Sequence, residues 1–165
     1  MPSLYSKNSN LSMKIVLGSD HAGFELKADL RTYLSERNIG VCDLGVAGEA
    51  PSDYPEMARI VAEKISRKEF ERGILVCGSG IGMSIVANRF PGVRAALCHD
   101  LTTARMSREH NDANLLVLGG RLIGKGLARE MTQVWLESTF QGGRHQRRLD
   151  QIEFLDREMR ESRRK

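Results

Sequence analysis

Five short apolar runs, at residues 15–17, 41–44, 74–76, 93–97 and 115–118, alternate with stretches of helical spacing. The runs are apolar on both faces, which suits strands covered by helices above and below. Parallel neighbours need a long crossover, and the intervening helices supply it. The expected fold is α/β: a doubly wound, three-layer αβα sandwich on a five-stranded parallel sheet, Rossmann-like in architecture. Helices are expected at 24–34, at 57–70 with Pro55 at the first helical position, and at 81–88, 101–110 and 125–138. A last helix, from about residue 145, carries Leu149, Ile152, Leu155 and Met159 at spacings of three and four and is amphipathic. Residues 1–12 are polar and aperiodic and read as a disordered extension. Residues 13–165 read as a single domain, since a 165-residue chain that is 41% hydrophobic has material for one full core.

The net charge of +4 is local: residues 144–165 hold eight Lys/Arg and five Asp/Glu, leaving +1 for the other 143 residues. The basic positions are mixed with acids and not interleaved with aromatics, so no nucleic-acid partner is expected. No apolar run is long enough to cross a bilayer and no basic-then-apolar leader stands at the start, so no membrane association is expected. Cys42, Cys77 and Cys98 make an odd set with no CxxC or Cys/His cluster, which suits free thiols in a cytoplasmic protein without zinc.

The chemistry collects in residues 73–88, GILVCGSGIGMSIVAN. A β-branched run ends at Cys77, glycines follow at 78, 80 and 82, and helical spacing begins. A strand entering a helix through a glycine turn makes a nest of backbone N–H groups that favours an anion. A cysteine at such a junction sits in the same positive field, which favours a thiolate. The turn is neither of two familiar phosphate loops. No Lys-Ser/Thr follows the last glycine, and G-x-G-x-x-G would need glycine at Met83 or Ile85. A tight turn without ligand and a buried small hydrophobe are the plain readings of these two features. Their coincidence points to chemistry on an anionic substrate.

Ligands of open α/β sheets bind outside the carboxyl ends of the strands. Those ends carry Ser19-Asp20-His21, Asp53-Tyr54 (past a loop), Cys77 with its glycines, His99-Asp100 and Gly119-Gly120-Arg121. Asp20 fits as a helix N-cap and as a ligand, and Asp53-Tyr54 as an ordinary helix start. His21 suits a surface position in a first helical turn, and His99 reads as structural. Away from this rim, Arg144 and Arg148 share a helix face, either to meet one phosphate or as a solvated basic face. His110-Asn111 closes a helix.

In order and spacing, GSDHAG (18–23), DYP (53–55), CGSGIG (77–82), SREHND (107–112), GGR (119–121) and GGRHQRR (142–148) resemble the type B ribose 5-phosphate isomerases. That family is shared with galactose 6-phosphate isomerase, and the resemblance runs from Met13 to about Leu155. It implies an aldose–ketose isomerase that uses neither metal nor organic cofactor. Cys77 is then the base that moves a proton between C2 and C1. The amides of Gly78, Gly80, Ile81 and Gly82 hold the enediolate, and Ser79 assists proton movement between its oxygens. His110 opens the sugar ring, with Asn111 beside it. Asp20 matches a hydroxyl ligand and Tyr54 a pocket residue, while His21, Arg121, Arg144 and Arg148 match the phosphate end. Some relatives carry a glutamate in place of Met83 and lack the cysteine; methionine takes no proton, which leaves Cys77 as base. A helix returning antiparallel to the strands carries His110 to the far end of its own sheet. His110-Asn111 is therefore expected to complete the site of a partner subunit in a homodimer, which could pair further into a tetramer. Another sugar phosphate as substrate is the alternative within enzymes. A non-catalytic phosphosugar-binding subunit is the alternative outside them, and intact Cys77 and His110 argue against it.

Overall fold

The computed structural model describes residues 13–164, so the extension expected at 1–12 lies outside the described residues. In chain order the elements are β1 (Lys14–Ser19), a 3₁₀ turn (His21–Gly23), α1 (Phe24–Glu36), β2 (Gly40–Asp43), α2 (Tyr54–Ser66) and β3 (Arg72–Cys77). Then come α3 (Ile81–Ala87), β4 (Ala95–Leu97), α4 (Leu101–Glu109), β5 (Leu115–Gly119), α5 (Lys125–Glu137) and α6 (Arg144–Ser162). The five strands form one sheet in the order β2-β1-β3-β5-β4, every pairing parallel. The expected α/β class and five-stranded parallel sheet are both present.

Alternation along the strands sends side chains to opposite faces. Ile15, Leu17, Ile74, Val76, Leu116 and Leu118 pack with α1, α4 and α5. Val16, Leu75, Cys77, Leu115 and Val117 pack with α2 and α3. Both faces are thus covered by helices, giving three layers. Because all strands run one way, Ser19, Cys77 and Gly119 finish at the same edge: Ser19 is level with Val76, and Cys77 with Gly119.

Element ends differ from expectation where side chains override simple signals. α1 runs two residues past Leu34, to Glu36, and is closed off by Asn38, whose φ is +59°, with Asn38 N–H donating to Ser35 O and Ile39 N–H to Leu34 O. α2 stops at Ser66 rather than running on to Phe70. Lys68 adopts the same left-handed conformation, and its N–H and that of Glu69 reach back to Ile65 O and Lys64 O. Both ends are Schellman motifs whose left-handed position holds a residue other than glycine. α2 also begins one residue earlier than expected, at Tyr54, with Pro55 still in the first turn where its missing N–H costs nothing. β4 loses its first two expected residues: Val93 N–H closes a turn onto Phe90 O, and Arg94 N–H donates to Asn114 Oδ1. α6 buries only His145 and Leu149. Its remaining apolar positions, Ile152, Phe154, Leu155 and Met159, are 49–56% exposed.

One buried ion pair ties α1 to the sheet's edge. Lys27, only 2% exposed, donates through Nζ to Asp43 Oδ1 at 2.8 Å and to Val46 O at 2.7 Å. Asp43 Oδ1 also accepts the Gly45 N–H at 3.0 Å, so the pair shapes the loop that leads to α2. Removing the carboxylate strands a buried ammonium. Asp43→Ala is expected to cost about 3 kcal/mol in urea unfolding. Lys27→Met, which leaves the more accessible partner, is expected to cost clearly less.

Candidate active site

The sulfur is placed by two loops stitched together beyond the sheet. Gly120 N–H donates to Cys77 O at 2.7 Å and Arg121 N–H to Gly78 O at 3.0 Å, extending the β3–β5 pairing past the strand ends. Gly80 has φ +80°, and a Cβ there would stand 2.5 Å from Leu97 Cδ1 and 3.1 Å from the Leu118 backbone, so the turn requires glycine. That turn folds the Gly80 N–H back onto Cys77 Sγ at 3.1 Å. Cys77 itself is 5% exposed. Ile81 N–H is directed to Ser79 Oγ at 3.3 Å. Two of the amides expected in the anion nest are therefore already engaged. Among the described residues, the Gly78, Ser79 and Gly82 amides have no protein acceptor.

Around this turn lies a cavity of about 370 Å³ lined by Asp20, His21, Tyr54, Cys77, Gly78, Ser79, Gly82 and Arg121, with Ala22 and Leu122. Asp20 plays its expected capping part, accepting the Gly23 N–H at 3.0 Å, while also facing the cavity. The Tyr54 ring lies where a side chain on Gly82 would be, so that glycine gives the tyrosine its place. The Arg121 side chain runs over Gly78, its Nη1 3.6 Å from where a Cβ would stand.

Ser52, which the sequence did not single out, holds His21. Its Oγ accepts the His21 N–H at 3.1 Å, and its backbone N–H and C=O meet His21 Nδ1 at 3.1 and 3.2 Å. Nδ1 can accept from the Ser52 amide or donate to the Ser52 carbonyl according to its tautomer, and either contact fixes the ring while leaving Nε2 unengaged by Ser52. The only sequence signal is a serine in the turn residues before α2, and its partner lies 31 positions away.

The other expected site residues are elsewhere. His110 is the C-cap of α4 and its ring stacks on His145, centroids 4.2 Å apart and planes within 6°. Arg144 and Arg148 belong to the same α6 turns, and Arg144 Nε points at His145 Nε2, 3.5 Å away. Asn111 lines a different cavity, of about 350 Å³, with Ala95, Leu149 and Ile152. This cluster sits by the amino end of β5, whose carboxyl end is level with Cys77. Five strand residues at about 3.3 Å each separate the two ends. Within one chain, His110, Asn111, Arg144 and Arg148 do not join the Cys77 cavity.

His145 is 5% exposed and was not singled out from the sequence, although its motif was. Burial pushes its pKa down, and the charges of His110, Arg144 and Arg148 push it the same way. A larger cavity, about 670 Å³, lies at the sheet's other end among Arg72, Arg94, Arg108 and Asp112. There Arg72 donates to Leu136 O and Arg108 to Ala113 O, each at 2.7 Å, so these two guanidinium groups hold main-chain carbonyls at the end of α5 and before β5. Among the described residues, no group of three or more His, Cys, Asp or Glu side chains is placed to hold a metal, and no helix is long and apolar enough to cross a membrane.

Comparison with known proteins defines the class. The family model described as Ribose/Galactose Isomerase matches residues 15–152, and the chain belongs to that family. It is thus a sugar-phosphate isomerase on an α/β fold. Ribose-5-phosphate isomerase B of Escherichia coli strain K12 is 42% identical over 87% of this chain and 96% of its own length. The solved ribose-5-phosphate isomerase B of Clostridium thermocellum superposes with a TM-score of 0.87 at 46% identity, covering 89% of this chain and 99% of that one. D-erythrulose-4-phosphate isomerase of Pectobacterium atrosepticum is 39% identical over 87% of this chain and 95% of its own length.

The turn's geometry is open to direct test. Gly80→Ala forces a side chain into left-handed backbone against Leu97, at about 1–3 kcal/mol of strain. Thermal unfolding is expected to show that loss, and turnover to fall further than stability because the N–H aimed at sulfur moves.

Proposed function

We propose that the chain interconverts ribose 5-phosphate and ribulose 5-phosphate through an enediolate, with Cys77 as the base. The observation that carries this is the Cys77 sulfur itself, at the cavity wall and held by the Gly80 N–H. Met83, where some relatives have a glutamate, is wholly buried and takes no proton, so that position supplies no base. Cys77 takes the C2 proton of the open aldose and returns it to C1. Negative charge then passes to the oxygens, where the unengaged Gly78, Ser79 and Gly82 amides offer donors fixed in advance. Ser79 relays a proton between O1 and O2. Asp20 binds sugar hydroxyls, Tyr54 walls the pocket, and His21 and Arg121 face the phosphate.

The cyclic sugar must open first: the ring oxygen gains a proton as its bond to C1 breaks, and the C1 hydroxyl loses one. We assign this step to His110, next to Asn111, supplied by a partner subunit together with Arg144 and Arg148. Two observations support the sharing. These four residues lie at the opposite end of the sheet from their own Cys77, and the apolar stripe of α6 is exposed on a single chain. A homodimer would cover such a stripe and bring the two ends together. A tetrose 4-phosphate is the second reading of the substrate, favoured by the D-erythrulose-4-phosphate isomerase relative.

Assays of the wild type and Cys77→Ala on C4, C5 and C6 aldose phosphates test reaction and substrate together. Fastest turnover is expected on ribose 5-phosphate, with the variant slower by about 10³-fold and still binding the sugar. Substantial turnover in that variant rejects Cys77 as base. Mixing inactive Cys77→Ala and His110→Ala chains is expected to restore about a quarter of wild-type activity, because half of randomly paired dimers then hold one intact site. No recovery after verified subunit exchange rejects the shared site.

A further inference from the structure

His110 makes no side-chain hydrogen bond among the described residues; what meets its ring is the parallel face of His145. The chain spends several specific contacts on placing that second ring. Gly142 and Gly143, at φ +64° and +55°, turn the backbone into α6, where His145 N–H donates to Gly142 O at 3.0 Å. Just before them, Gln141 is tied to the end of α4: its N–H donates to Glu109 O at 3.0 Å and its Nε2 to Glu109 Oε2 at 3.2 Å. The start of α6 is therefore clamped to the end of α4, and the two imidazoles stack across the clamp.

We propose that His145 is a positioning residue for His110: a buried aromatic platform whose stacked ring fixes the plane of the His110 ring. The inference rests on the assignment of ring opening to His110. Two stacked imidazolium rings would repel at 4.2 Å, so the stack disfavours a charge on the platform ring. The groups bearing on His145 are His110 from α4 and Arg144 and Arg148 from its own helix, and each opposes a charge on it, as burial does. A stacked ring also removes the rotational freedom of the His110 side chain, and alignment of a catalytic group is worth orders of magnitude in rate.

The test separates ring opening from proton transfer at carbon. Ribose 5-phosphate is cyclic and must open. Ribulose 5-phosphate is acyclic, because its C5 oxygen is esterified, so exchange of its C1 hydrogen with deuterated solvent reports the Cys77 step without ring opening. His145→Ala is expected to lower kcat on ribose 5-phosphate by about tenfold or more, with C1 exchange changed by less than about twofold. His145→Phe keeps a flat neutral ring, and is expected to regain most of the lost rate with the wild-type pH profile of kcat. If His145→Phe is as slow as His145→Ala, the residue acts through its own nitrogen and the platform is rejected. Equal losses in both assays for His145→Ala also overturn the inference, because they mark general damage to the site. His110→Ala serves as the control for the underlying reading. If it spares ribose 5-phosphate turnover, the ring-opening assignment falls; if it slows turnover while His145→Ala does not, only the platform falls.

Discussion

Two backbone hydrogen bonds, from Gly120 to the carbonyl of Cys77 and from Arg121 to that of Gly78, hold the site together. They carry the β3–β5 ladder one step beyond the sheet and so transmit the rigidity of the most central strand to a loop that would otherwise be free. The sulfur, the left-handed glycine behind it and the arginine above it inherit their positions from that seam. Loops usually give precision away to mobility; here the precision comes from being hydrogen-bonded as though still in the sheet.

The same parallel arrangement separates chemistry by polarity. Strand carboxyl ends gather Asp20, His21, Cys77 and Arg121 around one cavity. The returning helix α4 delivers its carboxyl end, with His110, to the opposite side, where the first turns of α6 bring Arg144 and Arg148. Each end has its own logic. Near Cys77 the donors are backbone amides, held by geometry alone. Near His110 the means are aromatic contact, burial and cationic neighbours, and burial with those neighbours pushes the His145 pKa down. Family membership makes the chain a sugar-phosphate isomerase, and its two ends divide the chemistry proposed for it between a carbon acid and a hemiacetal.

Much of this was legible in the sequence because period and punctuation carry it. Apolar runs with helical spacing between them yield a parallel βα sheet, and a parallel sheet places the ends of strands β1, β3 and β5 together whatever their separation in the chain. What escaped the reading depends on partners distant in sequence or on conformations that residue type does not announce. Asn38 and Lys68 stop helices in a conformation usually left to glycine, so α1 and α2 ended elsewhere than expected. Arg94 leaves the β4 ladder because the side chain of Asn114, 20 residues on, accepts its N–H. Ser52 became visible only once the loop after β2 had folded back over His21. His145 looked like one more polar residue in a basic stretch, since nothing in GGRHQRR says which of its members is buried.

The distance between the two ends of the sheet has a consequence for how the enzyme behaves when scarce. On the proposed reading, a solitary chain owns a carbon base and no means of unlocking a closed sugar. Output under strong dilution would then grow with the square of chain concentration.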